Sequence, residues 1–196
     1  MTTKELYSEL NYVNHSREKR HYYANLLLNR SDLIPTLLDI LFSINDKTST
    51  KAAWVFEFMC SLDIHCIMPY LDRFTANIKH VHFDSSVRPL AKICETLIEA
   101  YYNKKDPKIK QHLTETHKKR ITAICFDFMI NDEKVAVKAY SMTTLFFLGT
   151  EYEWIHPELE LILKRDYTNQ SAAFKARARH VMQRITKTRH SNKNLK

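Results

Sequence analysis

Residues Val135–Thr143 read VAVKAYSMT, with a lysine and an alanine just inside an apolar stretch of helical spacing. The same pair recurs as TKAAW at Thr50–Trp54 and FKARA at Phe174–Ala178, and in altered form as VRPLA at Val87–Ala91. The four basic positions are Lys51, Arg88, Lys138 and Lys175, separated by 37, 50 and 37 residues. The long middle interval contains YYNKKDPKIKQHL, a polar segment with Pro107 that reads as a linker insertion at about 103–113. Without it the period is about 37 throughout, and a period of that size built from helix pairs marks a helical solenoid.

Outward from these positions the spacing stays helical. Leu33, Leu37, Ile40 and Leu41 of LIPTLLDILF form one apolar stripe, and Val135, Ala139, Met142 and Phe146 form another. Period-2 strands bounded by turns are absent from the pattern. A turn-and-cap signal precedes each basic residue: IND at 44–46, FDS at 83–85, IND at 130–132 and NQS at 169–171. Asp, Asn and Ser there accept the backbone N–H groups that a helix start leaves unpaired. Before each turn lies another helical pattern, at 31–43, 65–80, 114–129 and 156–166. Pro35 and Pro157 fall in first turns, where a missing N–H costs nothing. Pro89 sets its helix start near Ser85 or Ser86, and Pro69 predicts a late start or a kink. KAAWVFEFMC is apolar nearly all round, as a helix packed between layers should be.

The reading is therefore all-α: an α-α superhelix, or right-handed solenoid, of about four helix pairs over 31–186. Two N-terminal helices at about 3–11 and 15–29 form a cap over 1–30, and 187–196 reads as a basic, disordered tail.

Composition narrows the function classes. Apolar residues at 44% and charged residues at 27% are ordinary for a globular chain of 196 residues, enough for one domain. Only one glycine is present, Gly149. Phosphate-cradling loops, dinucleotide fingerprints and nucleophile elbows need several, so these are excluded. Cys60, Cys66, Cys94 and Cys125 lack CxxC spacing and lie in or beside apolar stretches, which predicts buried inert thiols. The N-terminus shows no basic-then-apolar signal and no apolar run approaches the ~20 residues of a membrane span, so a cytoplasmic protein is expected. Net charge is +8, yet residues 1–166 hold 22 basic and 22 acidic groups. The excess lies beyond Asp166, where eight Lys or Arg meet no acid.

A proline in the first helix, an Asp at the turn and a basic residue early in the second helix resemble HEAT-type repeats. That resemblance implies a ladder in which the turn acid bonds the basic residue between repeats. The matching acids are Asp46, Asp84 and Asp132, with Asn169 in the last pair, at offsets of 5, 4 and 6 from their basic residues. YVNHSREKRHYYANLL and AYSMTTLFFLGTEYEWIHPEL also resemble short helical proteins labelled adenylosuccinate lyase. Lyases of that superfamily are more than twice as long and build their sites around a mobile Ser- and Gly-containing loop. Nothing here matches that loop, so the resemblance implies the fold and not the reaction.

Two uses of Lys51, Arg88, Lys138 and Lys175 stay open: struts between repeats, or a phosphate-binding row. Alkylpurine DNA glycosylases built from HEAT-like repeats bind DNA in the second way. Arg177, Arg179 and Arg184 join Lys175 on the last helix, as a solubilising cap or as contacts to nucleic acid, an acidic protein or a membrane surface. Trp154 and Tyr152 are candidate aromatic anchors for a protein partner. Among ten histidines, His80 and His82 are two apart and His112 and His117 five apart, which does not suit a helical metal pair, so no metal is expected. Glu57 and Asp127 are acids flanked by apolar residues, more suited to pairing at a repeat interface than to acid–base catalysis. The expected function is a non-catalytic protein-binding or scaffold module without a cofactor, and the alternative is a nucleic-acid-binding protein.

Overall fold

The first helix starts from a capping box: the Thr2 hydroxyl accepts the Glu5 N–H, and the Glu5 carboxylate accepts that of Thr2. The computed structural model describes residues 1–193, which are all-α with no strand among the described residues. The helices are α1 (Thr3–Leu10), α2 (Arg17–Leu28), α3 (Ile34–Leu41), α4 (Thr48–Leu62), α5 (Leu71–Asn77), α6 (Asp84–Tyr102), α7 (Pro107–His112), α8 (Glu115–Ile130), α9 (Val135–Leu148), α10 (Ile155–Asp166) and α11 (Ala172–Lys193). Among the described residues, no helix is long and apolar enough to cross a membrane.

Prolines mark the irregularities. The 65–80 pattern divides into a 3-10 segment, Ile64–Tyr70, which holds Pro69, followed by a late-starting α5. Pro89 lies inside α6, which begins at Asp84 rather than at Ser85 or Ser86. A proline cannot donate to the carbonyl four residues back, here Ser85. The indole N–H of Trp54 donates to it instead, at 2.8 Å, joining α4 to α6.

Two segments carry more helix than expected. The expected linker at 103–113 contains α7, whose start is capped by Asp106 accepting from Lys108 N–H and Ile109 N–H. Ile109 is fully buried, so the insertion is anchored to the core. Lys105 enters it in the left-handed region, φ 55°. The expected disordered tail from 187 instead continues α11 to Lys193, because neither glycine nor proline interrupts the helix and Arg189 pairs with Glu160 at 2.9 Å. Residues 194–196 lie outside the described residues.

Helices α2, α4, α6, α9 and α11 form a row, each packed on the next. Behind it α3 packs on α4, α8 and α10 pack on α9, and α5 packs on α8. The all-round apolar character of α4 follows from its neighbours α1, α2, α3 and α6. Still more enclosed is α9, touching α6, α8, α10 and α11, with ten of its fourteen residues buried.

Candidate functional site

A series of cations contacts rings and carboxylates from helix to helix along the row. On α2 the Arg20 guanidinium lies 4.4 Å from the ring centre of Trp54. It also donates to the carbonyls of Asn14 and His15, both at 3.2 Å. Arg17, one turn earlier, lies 5.9 Å from the Phe58 ring. Arg88 on α6 pairs with Glu57 of α4 at 2.9 Å. Lys92 pairs with Glu95 at 2.6 Å and sits 4.9 Å from the Tyr140 ring on α9. On α11, Arg177 donates to the Thr143 hydroxyl at 3.3 Å. Arg184 lies over Phe146 and Phe147, at 4.0 and 5.0 Å. These contacts link α2 to α4, α4 to α6, α6 to α9 and α9 to α11.

Its charges are unevenly matched. Glu57 and Glu95 are 8% and 4% exposed and each is already paired. Among the described residues, the side chains of Arg17 and Arg184 make no hydrogen bond or ion pair. Burial lowers the Arg20 pKa, and the like charges of Arg88 and Arg17 add to this against Glu57. Burial also lowers the Arg184 pKa, with Arg177 adding and Glu99 opposing. These guanidiniums stay charged, but they are crowded together.

Of the four expected basic residues, Arg88 pairs with Glu57, whereas the three lysines have other surroundings. Lys51 donates to the Asn11 carbonyl at 2.9 Å and Lys175 to that of Thr168 at 3.1 Å. Lys138 is only 5% exposed; it makes no hydrogen bond or ion pair among the described residues, and Glu133 and Asp166 feel its charge. Arg179 is exposed and outside this series of contacts.

The expected ladder is not made. Asp46 accepts from the Tyr7 hydroxyl at 2.6 Å and from Thr48 N–H at 2.8 Å, and these bonds lower its pKa. Asp84 pairs with Lys134 at 3.3 Å, where both are largely exposed. Asp132 is exposed and makes no hydrogen bond or ion pair among the described residues. Asp132→Ala should therefore change stability by less than about 0.5 kcal/mol. A urea titration showing a loss above ~1 kcal/mol would restore the ladder at that repeat.

The two aromatic candidates sit away from this series, beside α8. Trp154 is 55% exposed and stacks on Phe126, ring centres 5.6 Å apart. It edges a groove of about 290 Å³ lined also by Glu115, Lys119, Thr122, Ala123 and Tyr152. Tyr152 acts as a tie: its hydroxyl donates to Glu115, and burial together with that bond raises its pKa. Buried Lys118 locks the same corner, pairing with Glu151 at 2.6 Å and facing the Tyr101 ring at 4.9 Å. Asp127 lines a second groove with Arg120 and Lys79.

Among the described residues, no three His, Cys, Asp or Glu are placed to hold a metal ion. Three of the four cysteines are buried and Cys66 is half-buried. Arg17, Arg20 and Lys92 were missed from sequence. The available signal was local: Arg88 and Lys92 are four apart and Arg177 and Arg184 seven apart, each pair on one helical stripe. No family model, curated protein or solved structure matches the chain.

Proposed function

We propose that the chain is a non-catalytic binding module, a short right-handed solenoid of HEAT-like helix pairs, whose open helix row grips a nucleic-acid duplex through its phosphates. The packing order of α2, α4, α6, α9 and α11, with a second layer behind, supports the solenoid. The observation that supports the binding reading is that Arg17 and Arg184 lie over aromatic rings, at 5.9 and 4.0 Å, while their side chains make no hydrogen bond or ion pair among the described residues. A guanidinium laid on a ring keeps its N–H edge for bidentate bonds to phosphate. Trp54, Phe146 and Phe147 are 8%, 5% and 8% exposed and Phe58 is half-buried, so bases find little bare ring to stack on, as a single strand would require. Four helix-to-helix steps of about 8–10 Å give a row long enough for roughly ten base pairs at ~3.4 Å each.

Fluorescence anisotropy with a labelled duplex, the matching single strand and polyglutamate, each at low and near-physiological salt, tests this. The duplex should bind most tightly. Arg177→Gln/Arg184→Gln should flatten its log–log salt slope by about 2, since each phosphate contact contributes ~0.9. Arg179→Gln and Trp154→Ala should leave binding unchanged. No duplex binding, or equal losses with Arg179→Gln, overturns the reading.

A second reading, a protein segment anchored on Trp154, is favoured by the exposure of that ring beside a preformed groove. Peptides selected from a displayed library that bind Trp154→Ala as well as the unaltered chain would count against it.

A further inference from the structure

Cys60 closes α4 and Cys66 lies in the 3-10 segment that follows, with their sulfurs 4.0 Å apart. Both thiols are free. We infer that this pair is an oxidation site, at which peroxide converts Cys66 to a sulfenic acid and Cys60 captures it as an intramolecular disulfide.

The two sulfurs differ in access, and this assigns their order. Cys66 lines an open surface cavity of about 480 Å³, together with Asp63, His65 and Tyr70. Cys60 is 2% exposed and lies behind it in the core. A peroxide molecule therefore meets Cys66 first. Burial pushes the Cys60 thiol well above its ordinary pKa, with its contact to Cys66 adding to this, so Cys60 is a poor first nucleophile. Cys94 and Cys125 are buried elsewhere, on α6 and α8, and burial pushes Cys125 up to about 12. They stay reduced while the fold is intact.

The chemistry balances without a cofactor. The Cys66 thiolate attacks one oxygen of hydrogen peroxide; the O–O bond breaks, and hydroxide leaves and takes up a proton as water. The Cys60 sulfur then attacks the sulfenic sulfur; the S–S bond forms, the S–O bond breaks, and the thiol proton leaves with the hydroxyl as a second water. Two thiols are oxidised by two electrons and one peroxide is reduced. Closing the sulfurs from 4.0 Å to a bond of about 2.05 Å asks each to move by roughly 1 Å, within reach of side-chain rotation.

Peptide mapping by mass spectrometry, after treating the folded protein with hydrogen peroxide and blocking remaining thiols, tests the inference. A Cys60–Cys66 linked peptide should appear, the reactive thiol count should fall by two, and dithiothreitol should restore both. Cys60→Ser should instead accumulate sulfenic acid at Cys66, trapped by dimedone, and Cys66→Ser should leave Cys60 unmodified. Cys66→Ala serves in place of Cys66→Ser if that variant does not fold. Sulfinic acid at Cys66 without linkage in the unaltered chain, or a link that forms only after denaturation, would overturn it.

Discussion

Gly149→Ala should destabilise the protein by roughly 2–4 kcal/mol, through overpacking and a broken hydrogen bond. The reason is space, since Gly149 has φ −65° and any residue could adopt its backbone. A Cβ at that position would lie 2.1 Å from Cδ2 of His156 and 2.4 Å from its Nε2. The imidazole cannot retreat easily. It is 6% exposed, stacks on Phe146 at 5.5 Å, and donates Nε2–H to the Phe146 carbonyl at 2.9 Å. Urea denaturation measures the loss, and a double-mutant cycle tests its cause. In a His156→Ala background the alanine at 149 should cost close to nothing, so equal costs in both backgrounds would refute the steric explanation. The same histidine gives a pH signature. Burial holds its pKa below the ordinary value, with Arg189 adding and the Phe146 bond and Glu160 opposing. An unfolded chain binds the proton more readily, so this contribution is whole above about pH 6.5 and is lost as pH falls below it. His156→Ala should remove that part of the acid sensitivity.

Trp54→Ala should cost about 3–5 kcal/mol, the range for deleting a buried aromatic. Trp54→Phe should cost only about 1 kcal/mol, because it keeps most of the ring and loses the N–H bond to Ser85. That bond exists because Pro89 leaves the Ser85 carbonyl unclaimed within α6. Pro89→Ala supplies an N–H to the same carbonyl, so the Trp54→Phe penalty should shrink in that background by roughly 0.5–1 kcal/mol. Simple additivity of the two substitutions would show that the indole and the proline act independently.

These residues also show what a sequence can and cannot convey. The helices and most turns were legible because their signals are local: apolar stripes, and prolines at first turns. Pro69 correctly marked a late helix start. The pairings were not legible because they join residues remote in sequence. Arg88 meets Glu57 across 31 positions and Trp54 meets Ser85 across the same distance. A repeat count of 37 also cannot say which partner each basic residue takes, and Arg88 finds Glu57 while Lys51 finds the Asn11 carbonyl. The chain end is read differently: basic composition suggested disorder from 187, whereas α11 runs to Lys193, packs on α9 and pairs Arg189 with Glu160.

The separation of charge along the chain has a kinetic meaning. A body neutral through residue 166 and a final helix without acids give the molecule a permanent electric dipole. At physiological ionic strength a polyanion feels that dipole only within about 8 Å, the screening length. As it comes nearer, the torque on that dipole turns the protein so that α11 leads. Under the proposed duplex binding, Arg177 and Arg184 would make the first encounter and the α2 end would follow. Salt that shortens this range slows the arrival while leaving the final seat unaltered.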